Sequence, residues 1–297
     1  MYTIVGIGEL LWDRLLAGEQ LGGAPANFAY HASLLGNHAG ILSRVGCDRL
    51  GERALARLCQ LQLTTDFIQQ DETHATGAVA VQVDANGQPD FIITEDVAWD
   101  YLDFTPQWQA LAATADAVCF GSLAQRSPTS RQTIRRFLEA TRKDALRIFD
   151  VNLRQSFYTC KIIAESFALA RLAKINHQEL AQIAGMFKLS GSSEAERARQ
   201  LLIEFALELV CVTRGNHGSL LVSHKEAVEH PGFAIDVVDT IGAGDAFTAA
   251  LAHHYLNSAP LTVISEAANR LGATVASHTG ATPTIGREIL ERVISGY

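Results

Sequence analysis

The chain has 297 residues, of which 48% are hydrophobic and 19% charged, with 23 glycines and 7 prolines. This composition is typical of a globular protein and excludes disordered, collagen-like and low-complexity chains. The formal net charge of −8 implies no basic face, which argues against duplex nucleic acid as the main ligand. A small anionic ligand stays compatible with this charge, because backbone amides can bind anions without positive side chains.

The five cysteines are far apart and include no Cys-x-x-Cys pair. An odd, dispersed set disfavours a disulfide framework or a zinc site and favours a reducing compartment. The first residues, Met1–Gly8, lack the basic segment of a signal peptide, and no run of 18 apolar residues occurs. We therefore expect a cytoplasmic protein that does not enter a membrane.

Short apolar runs alternate along the chain with longer segments that have helical spacing. The runs predicted as strands are Thr3–Leu11, Ala39–Val45, Asp116–Phe120, Leu146–Val151 and Leu209–Thr213. The segments predicted as helices are Pro25–Leu35, Glu52–Leu61, Thr129–Thr141, Ser193–Leu207, Asp245–Leu256, Thr262–Ser277 and Gly286–Ile294. This alternation predicts an α/β fold with a parallel sheet covered by helices on both faces.

One segment departs from the alternation. Apolar and polar residues alternate over Thr76–Asp84, and a second short run follows at Pro89–Thr94. The turn between them, Ala85–Gln88, contains an Asn-Gly pair, which is typical of a tight turn between antiparallel strands. We therefore predict a single main domain over residues 1–297 with a small β insert, which would form either a lid or an edge hairpin.

The segment Asp239–Phe247, Asp-Thr-Ile-Gly-Ala-Gly-Asp-Ala-Phe, carries the strongest chemical signal. A helix is predicted from Asp245, so Gly242, Ala243 and Gly244 lie at a helix N-terminus, where amides lack partners within the helix. Such amides bind phosphate, and glycine lets the phosphate approach closely. Asp245 is placed to accept a proton from an alcohol beside that anion, which predicts phosphoryl transfer to a hydroxyl. The alternative is a carboxylate that only stabilises the helix dipole.

A second glycine-rich segment, Leu21–Ala29, lies near the N-terminus. Pro25 suits the first turn of a helix, and the two glycines before it permit close approach of a ligand. Asn27 can donate and accept hydrogen bonds, and Asp13 can accept from two hydroxyls at once. These residues predict a sugar site. A tight turn and a solvated carboxylate are the alternatives.

These two segments, in this order and more than 200 residues apart, resemble the two signatures of the ribokinase (PfkB-type) carbohydrate kinase family. Lys174–Glu179 is similar to the family's Asn-x-x-Glu element, and Thr213–Ser219 is similar to its nucleotide-binding turn, with Arg214 where leucine is usual. The resemblance spans nearly the whole chain. It implies a doubly wound, mainly parallel sheet with a small antiparallel β lid, to which residues 11–22 and 76–104 contribute. It leaves open a homodimer formed through this lid.

The resemblance also implies a kinase that uses ATP and Mg²⁺, and it assigns roles to individual residues. The residues that would act on the transferring phosphate are Gly242, Ala243, Gly244 and the catalytic base Asp245. The residues that would contact ATP are Asn176, Thr213, Gly215, Gly218 and Asn269. Glu179 would organise Mg²⁺. A K⁺ ion would lie at Asp239 and the Ile241 carbonyl, with the loop Ser277–Thr282 closing the site.

The predicted acceptor is a sugar. The segments that resemble the bacterial fructokinase branch are Gly8–Asp13, Leu21–Pro25, Phe120–Arg126 and Phe149–Arg154. In that branch Asp13, Gly23 and Asn27 would hold the sugar hydroxyls. Arg126 and Arg154 follow consecutive strands and would either reach the sugar or its phosphate, or form surface ion pairs.

This branch implies phosphorylation of the terminal hydroxyl of fructose. The arginines keep 2-keto-3-deoxygluconate as an alternative, because a carboxylate suits a bidentate arginine. Tagatose phosphate, ribose and nucleosides are further alternatives within the family. A non-catalytic sensor of sugar or nucleotide is the alternative outside enzymes.

Overall fold

The computed structural model describes residues 1–15, 18–83 and 89–296. The strands are β1 (Thr3–Ile7), β2 (Leu11–Leu15), β3 (Gly18–Gly22), β4 (His38–Gly46), β5 (Ile68–Asp71), β6 (Gly77–Val83), β7 (Pro89–Ile93), β8 (Ala117–Phe120), β9 (Leu146–Asp150), β10 (Leu172–Asn176), β11 (Leu209–Thr213), β12 (Ser219–Ser223) and β13 (Ala227–His230). The helices are α1 (Ala24–Leu34), α2 (Arg49–Gln60), α3 (Pro106–Ala112), α4 (Pro128–Ala140), α5 (Cys160–Leu169), α6 (His177–Met186), α7 (Glu194–Glu204), α8 (Ala243–Leu256), α9 (Leu261–Ala276) and α10 (Arg287–Ser295).

The main sheet has the strand order β13-β12-β11-β10-β9-β8-β1-β4-β5. Neighbouring strands from β5 to β11 run parallel, and β12 and β13 are added antiparallel at one edge. The predicted α/β fold with a mainly parallel sheet is therefore confirmed. From β1 the chain goes to β4 on one side and later to β8 on the other, so the strand order reverses beside β1.

A second, small sheet has the order β3-β2-β6-β7. Its two hairpins, β2/β3 and β6/β7, are antiparallel, whereas β2 and β6 join them in parallel, with Leu11 paired to Gly77. The insert predicted at Thr76–Thr94 therefore forms only half of this sheet. The predicted turn at Ala85–Gln88 lies outside the described residues.

The helices cover both faces of the main sheet because neighbouring strand residues point to opposite faces. In β1, Ile4 belongs to the apolar cluster formed with α1, α8, α9 and α10, whereas Val5 belongs to the cluster formed with α3 to α7. Both side chains are almost completely buried. In the described ranges no helix is long and apolar enough to cross a membrane.

Candidate active site

A cavity of about 910 Å³ lies along the carboxyl edge of the parallel strands. Its lining runs from Glu9, after β1, to Thr213, at the end of β11, and it is closed on one side by residues of the small sheet such as Asp13. Four strand spacings separate β1 from β11, or roughly 19 Å. The cavity is therefore long enough to hold two substrates side by side, at the edge where ligands bind in open α/β sheets.

The N-terminus of α8 points into the middle of this cavity. Gly242 precedes the helix with φ of 79°, and an added Cβ would lie 2.6 Å from the Ala281 backbone. Within the described part of the chain, the amides of Gly244 and Asp245 have no acceptor, whereas the amide of Ala243 donates to Thr240 at 3.3 Å. Two unpartnered amides at a helix N-terminus can bind the oxygens of an anion.

Asp245 lies in the first turn of α8, beside these amides. Its Oδ2 accepts a hydrogen bond of 2.8 Å from Nδ2 of Asn27, which lies in the first turns of α1. Burial, together with the nearby Asp150 charge, raises the pKa of Asp245 to about 6. A carboxylate that is ionised at neutral pH but has a raised pKa is suited to take a proton from a hydroxyl.

Polar groups that suit a sugar surround Asp245 on the side of the small sheet. Asp13 of β2, Gly23 and Asn27, the three residues predicted to hold the sugar hydroxyls, line the cavity there. Burial raises the pKa of Asp13 to about 6, although the Arg154 charge opposes this shift. Gly23 has no room for a side chain, because an added Cβ would lie 2.4 Å from the Glu9 carbonyl oxygen.

Glu9 is a residue of this site that the sequence analysis did not identify. It is 3% exposed, it lines the cavity, and its Oε2 has no hydrogen-bond partner in the described structure. Burial is the main cause that raises the pKa of Glu9 to about 7, and the Asp245 charge adds to it. A charged residue inside the apolar run before Leu10 is the signal that could have identified it.

The other end of the cavity is built by β10, β11 and the turn after β11. All five residues predicted to contact ATP line it: Asn176, Thr213, Gly215, Gly218 and Asn269. The Asn176 side chain caps α6 by accepting from the Glu179 amide at 2.8 Å. Asn269 donates 2.7 Å hydrogen bonds to Ser219 and to the Ser265 carbonyl. This end therefore offers amide groups and a close-packed turn.

Two residues predicted to bind cations lie behind the cavity lining. Glu179 accepts from the amides of Leu153 at 2.8 Å and Asn176 at 2.9 Å. Asp239 accepts from the amides of Ile241 and Gly280, both at 3.0 Å, and so joins the loop before α8 to the loop after α9. Among the described residues, no group of three or more His, Cys, Asp or Glu side chains could hold a metal ion.

Of the two roles predicted for Arg126, a sugar or phosphate contact and a surface ion pair, the structure shows an ion pair, and this pair is buried. The Nε and Nη2 atoms of Arg126 bind the Asp100 carboxylate at 2.9 and 2.8 Å, and Nη2 also donates to the Thr94 carbonyl. The guanidinium is sandwiched between the rings of Trp99 and Phe157. The aromatic environment and the acidic partner thus hold Arg126 in a separate pocket, away from the sugar residues.

Arg154 and Arg214, the two other arginines in the segments that resemble the family, differ in their position relative to the cavity. Arg154 is exposed and lines the cavity, and its charge acts on Glu9, Asp13 and Asp245. Arg214, which stands where leucine is usual in the family's nucleotide-binding turn, is paired with two glutamates outside the cavity lining.

Comparison with known proteins adds to this geometry. Residues 17–286 match the model of the pfkB family of carbohydrate kinases. A sugar kinase of Pyrococcus horikoshii is 30% identical over 84% of this chain and 81% of its own length, and a fructokinase of Klebsiella pneumoniae is 30% identical over 82% and 81%. The crystal structure of the Pyrococcus protein superposes with a TM-score of 0.84 at 28% identity, covering 98% of this chain and 99% of that one. The same protein has also been solved in complex with ATP.

The family match covers the unpartnered amides of α8, Asp245 and the residues around them. The large, mostly parallel sheet and the small second sheet match the ribokinase-like fold of the structural neighbours. The chain therefore belongs to the pfkB family of carbohydrate kinases and is a phosphotransferase that acts on a sugar.

Proposed function

We propose that this protein transfers the γ-phosphoryl group of ATP to the terminal hydroxyl of a ketose, with fructose as the acceptor. The observation that carries the proposal is the placement of Asp245. Its carboxylate is bound by Asn27 and lies beside the unpartnered amides of α8, within a cavity that also contains Asp13. The similarity to a fructokinase over more than four-fifths of the chain supports this acceptor.

In the proposed reaction, Asp245 accepts the proton of the sugar hydroxyl. The hydroxyl oxygen forms a bond to the γ-phosphorus while the bond from that phosphorus to the ADP oxygen breaks, so no covalent intermediate with the protein is needed. The amides of Gly244 and Asp245 bind the oxygens of the phosphoryl group as charge develops on them. Asp13 and Asn27 orient the sugar so that its terminal hydroxyl faces Asp245.

ATP would occupy the end of the cavity formed by Asn176, Thr213 and Asn269. When bound, Mg²⁺ neutralises phosphate charge. The residues fit this ion, because Mg²⁺ commonly keeps several waters and takes its other ligands from substrate phosphates and one or two carboxylates. Glu179 would hold it through water, since backbone amides already bind both oxygens of its carboxylate.

A K⁺ ion beside the amides of α8 is a further part of the proposal. Asp239 joins the loop that contains Ile241 to the loop that contains Gly280. The Ile241 carbonyl and Asp239 would supply oxygen ligands there, which are the ligands that such hard cations prefer. We expect K⁺ to raise the rate by ordering the loop that precedes α8.

An acidic sugar such as 2-keto-3-deoxygluconate is a second candidate acceptor, and Arg154 is the observation that favours it. This arginine is exposed in the cavity and faces three carboxyl groups without a bidentate partner among them. A sugar carboxylate would suit such a guanidinium. The two candidates differ in one test, because Arg154→Met should abolish turnover of the acidic sugar and reduce that of fructose only modestly.

The experiment measures ADP release from ATP and Mg²⁺ with fructose, ribose, 2-keto-3-deoxygluconate, tagatose 6-phosphate and adenosine, with and without K⁺. We expect the highest kcat/KM for fructose and a higher rate with K⁺. A higher kcat/KM for another acceptor would make that compound the acceptor in place of fructose, and the proposed phosphoryl transfer would be unchanged. Absence of turnover with every acceptor would contradict the proposed function.

A further inference from the structure

A buried lysine lies beneath the amides of α8. Lys174 is in β10, its side chain is 11% exposed, and its Nζ lies 3.0 Å from Oδ1 of Asp150, whose side chain is 5% exposed. Lysine is almost never buried without a partner, and this pair follows that rule. Lys174 is the first residue of the segment that resembles the family's Asn-x-x-Glu element, and that resemblance assigns no role to it.

The pair is attached to the first turn of α8. The Thr248 hydroxyl oxygen lies 2.9 Å from Oδ2 of Asp150 and 2.9 Å from the Gly244 carbonyl oxygen, so its single proton is shared between these two acceptors. A Cβ added to Gly244 would lie 2.8 Å from Nζ of Lys174. The ammonium therefore lies directly against the residue whose free amide faces the cavity.

The Lys174 ammonium has N–H groups that are not used in hydrogen bonds within the described structure. An ammonium carries three N–H groups, and in the described structure Asp150 is its only hydrogen-bond partner. Lys174 also lines the cavity. Burial lowers the pKa of Lys174, but the charges of Asp150, Asp245 and Glu179 more than offset this and hold the amine in its charged form.

We propose that Lys174 is a further catalytic residue, whose ammonium binds the phosphoryl group that is transferred. This inference rests on the proposed function, because it requires ATP to place its γ-phosphate at the N-terminus of α8. Asp150 and Thr248 then act as positioning residues that aim the ammonium at Gly244. A charged donor beside the transferring group stabilises negative charge that the backbone amides share.

The position of the ammonium predicts which nucleotide, ATP or ADP, binds more weakly when the ammonium is removed. It lies against Gly244 and beside Asp245, where the acceptor hydroxyl meets the phosphate that is transferred, so its contact is to the γ-phosphate and not to ADP. A purely structural ion pair would affect folding but would not change the preference for ATP over ADP. Nucleotide preference therefore separates the two roles.

The test measures the binding of ATP and of ADP, each with Mg²⁺ and without sugar, to the purified full-length protein by titration calorimetry. We expect Lys174→Met to weaken ATP binding about 10- to 100-fold, the effect of losing a hydrogen bond between charged groups. We expect ADP binding to change by less than about threefold. With a sugar that is turned over, kcat should fall about 100-fold or more.

Lys174→Met leaves Asp150 buried without its cation and could unfold the protein. The double variant Lys174→Met/Asp150→Asn removes both charges and should show the same loss of ATP preference. The matched control is Arg126→Met/Asp100→Asn, which removes another buried ion pair outside the cavity lining and should keep the preference for ATP.

An unchanged ratio of ATP to ADP affinity in the double variant would overturn the role of Lys174. So would an equal loss of preference in Arg126→Met/Asp100→Asn, because the effect would then follow the loss of any buried ion pair and not the loss of this ammonium. A wild-type protein that bound neither nucleotide would overturn the proposed function, and this role with it. If the protein did not use fructose, the ratio of ATP to ADP affinity would be unchanged in the wild type and in the variants. That result would therefore concern only the identity of the acceptor.

Discussion

Asp245 has few polar partners for a half-buried carboxylate. Within the described residues its carboxylate accepts one side-chain hydrogen bond, from Asn27, and it shares the cavity with Glu9 and Asp13. We expect Asp245→Asn to lower kcat by at least about 10³-fold, because the amide cannot accept the proton of the sugar hydroxyl. ATP affinity should change by less than about threefold, since the amide has the same shape. Steady-state kinetics and calorimetry check the two parts, and a variant with wild-type kcat would remove Asp245 from the role of base.

Residues with a strong local context could be predicted from sequence, whereas residues defined by tertiary contacts could not. Asp245 and Asn27 lie in glycine-rich segments at helix starts, where the chemistry follows from local backbone geometry. Lys174 and Glu9 lie within apolar runs, and only the packing of β10 against α8 and of β1 against α1 brings them to the cavity. Arg126 was placed at the right edge of the sheet, but the aromatic rings that capture it are distant in sequence.

At the scale of elements, each strand predicted for the main sheet is buried along most of its length, but the buried strands β10 and β12 were not predicted. Leu209–Thr213 was predicted with its observed bounds because apolar residues fill it. The edge strands β5, Ile-Gln-Gln-Asp, and β13, Ala-Val-Glu-His, were not predicted, since both are short and mostly polar. The run Thr3–Leu11 was wrong as one strand, because it contains all of β1, a break at Gly8 with φ of 149°, and the first residue of β2.

The start of α8 depends on Gly242. A side chain there would require a left-handed backbone and would meet the Ala281 backbone at 2.6 Å. We expect Gly242→Ala to lower the free energy of unfolding by at least about 2 kcal/mol and kcat by about 10²-fold, because the amides of α8 move. The matched control is Gly185→Ala in α6, which meets nothing within 4 Å. Urea unfolding that shows equal stability for the two variants would contradict this role of Gly242.

Arg126 connects the small sheet to the main domain. It binds Asp100 and the carbonyl of Thr94, the residue that follows β7. Arg126→Met would leave Asp100, which is 5% exposed, without its cation, so we expect a loss of about 3–5 kcal/mol in the free energy of unfolding. The control Arg287→Met removes an arginine that is 92% exposed and should leave stability unchanged within about 0.5 kcal/mol. Equal stabilities of the two variants in urea would show that Arg126 is no such connection.

For the molecule as a whole, the active-site carboxyl groups oppose folding at neutral pH. Burial raises the pKa of Glu9 to about 7 and the pKa values of Asp13 and Asp245 to about 6. Between the ordinary values near 4 and these raised values, the folded protein binds more protons than the unfolded chain. Stability therefore falls as the pH rises through this window. Under the proposed function, Asp13 and Asp245 bind and activate the acceptor, which gives these charges a use despite their cost in stability.

The raised pKa values of these three carboxyl groups predict how the free energy of unfolding depends on pH. The triple variant Glu9→Gln/Asp13→Asn/Asp245→Asn should be more stable than the wild type at pH 8, by at least about 2 kcal/mol. The difference should disappear below about pH 4, where the wild-type groups are protonated in both states. Asp71→Asn is a control of opposite sign, because hydrogen bonds from Thr73 and His74 hold the pKa of Asp71 below its ordinary value despite burial, so this variant should lose stability at pH 8. Thermal unfolding from pH 4 to 8 measures both differences. A triple variant less stable than the wild type at pH 8 would mean that hydrogen bonds to these carboxylates outweigh their burial, and that the site is built to hold charge even without its substrates.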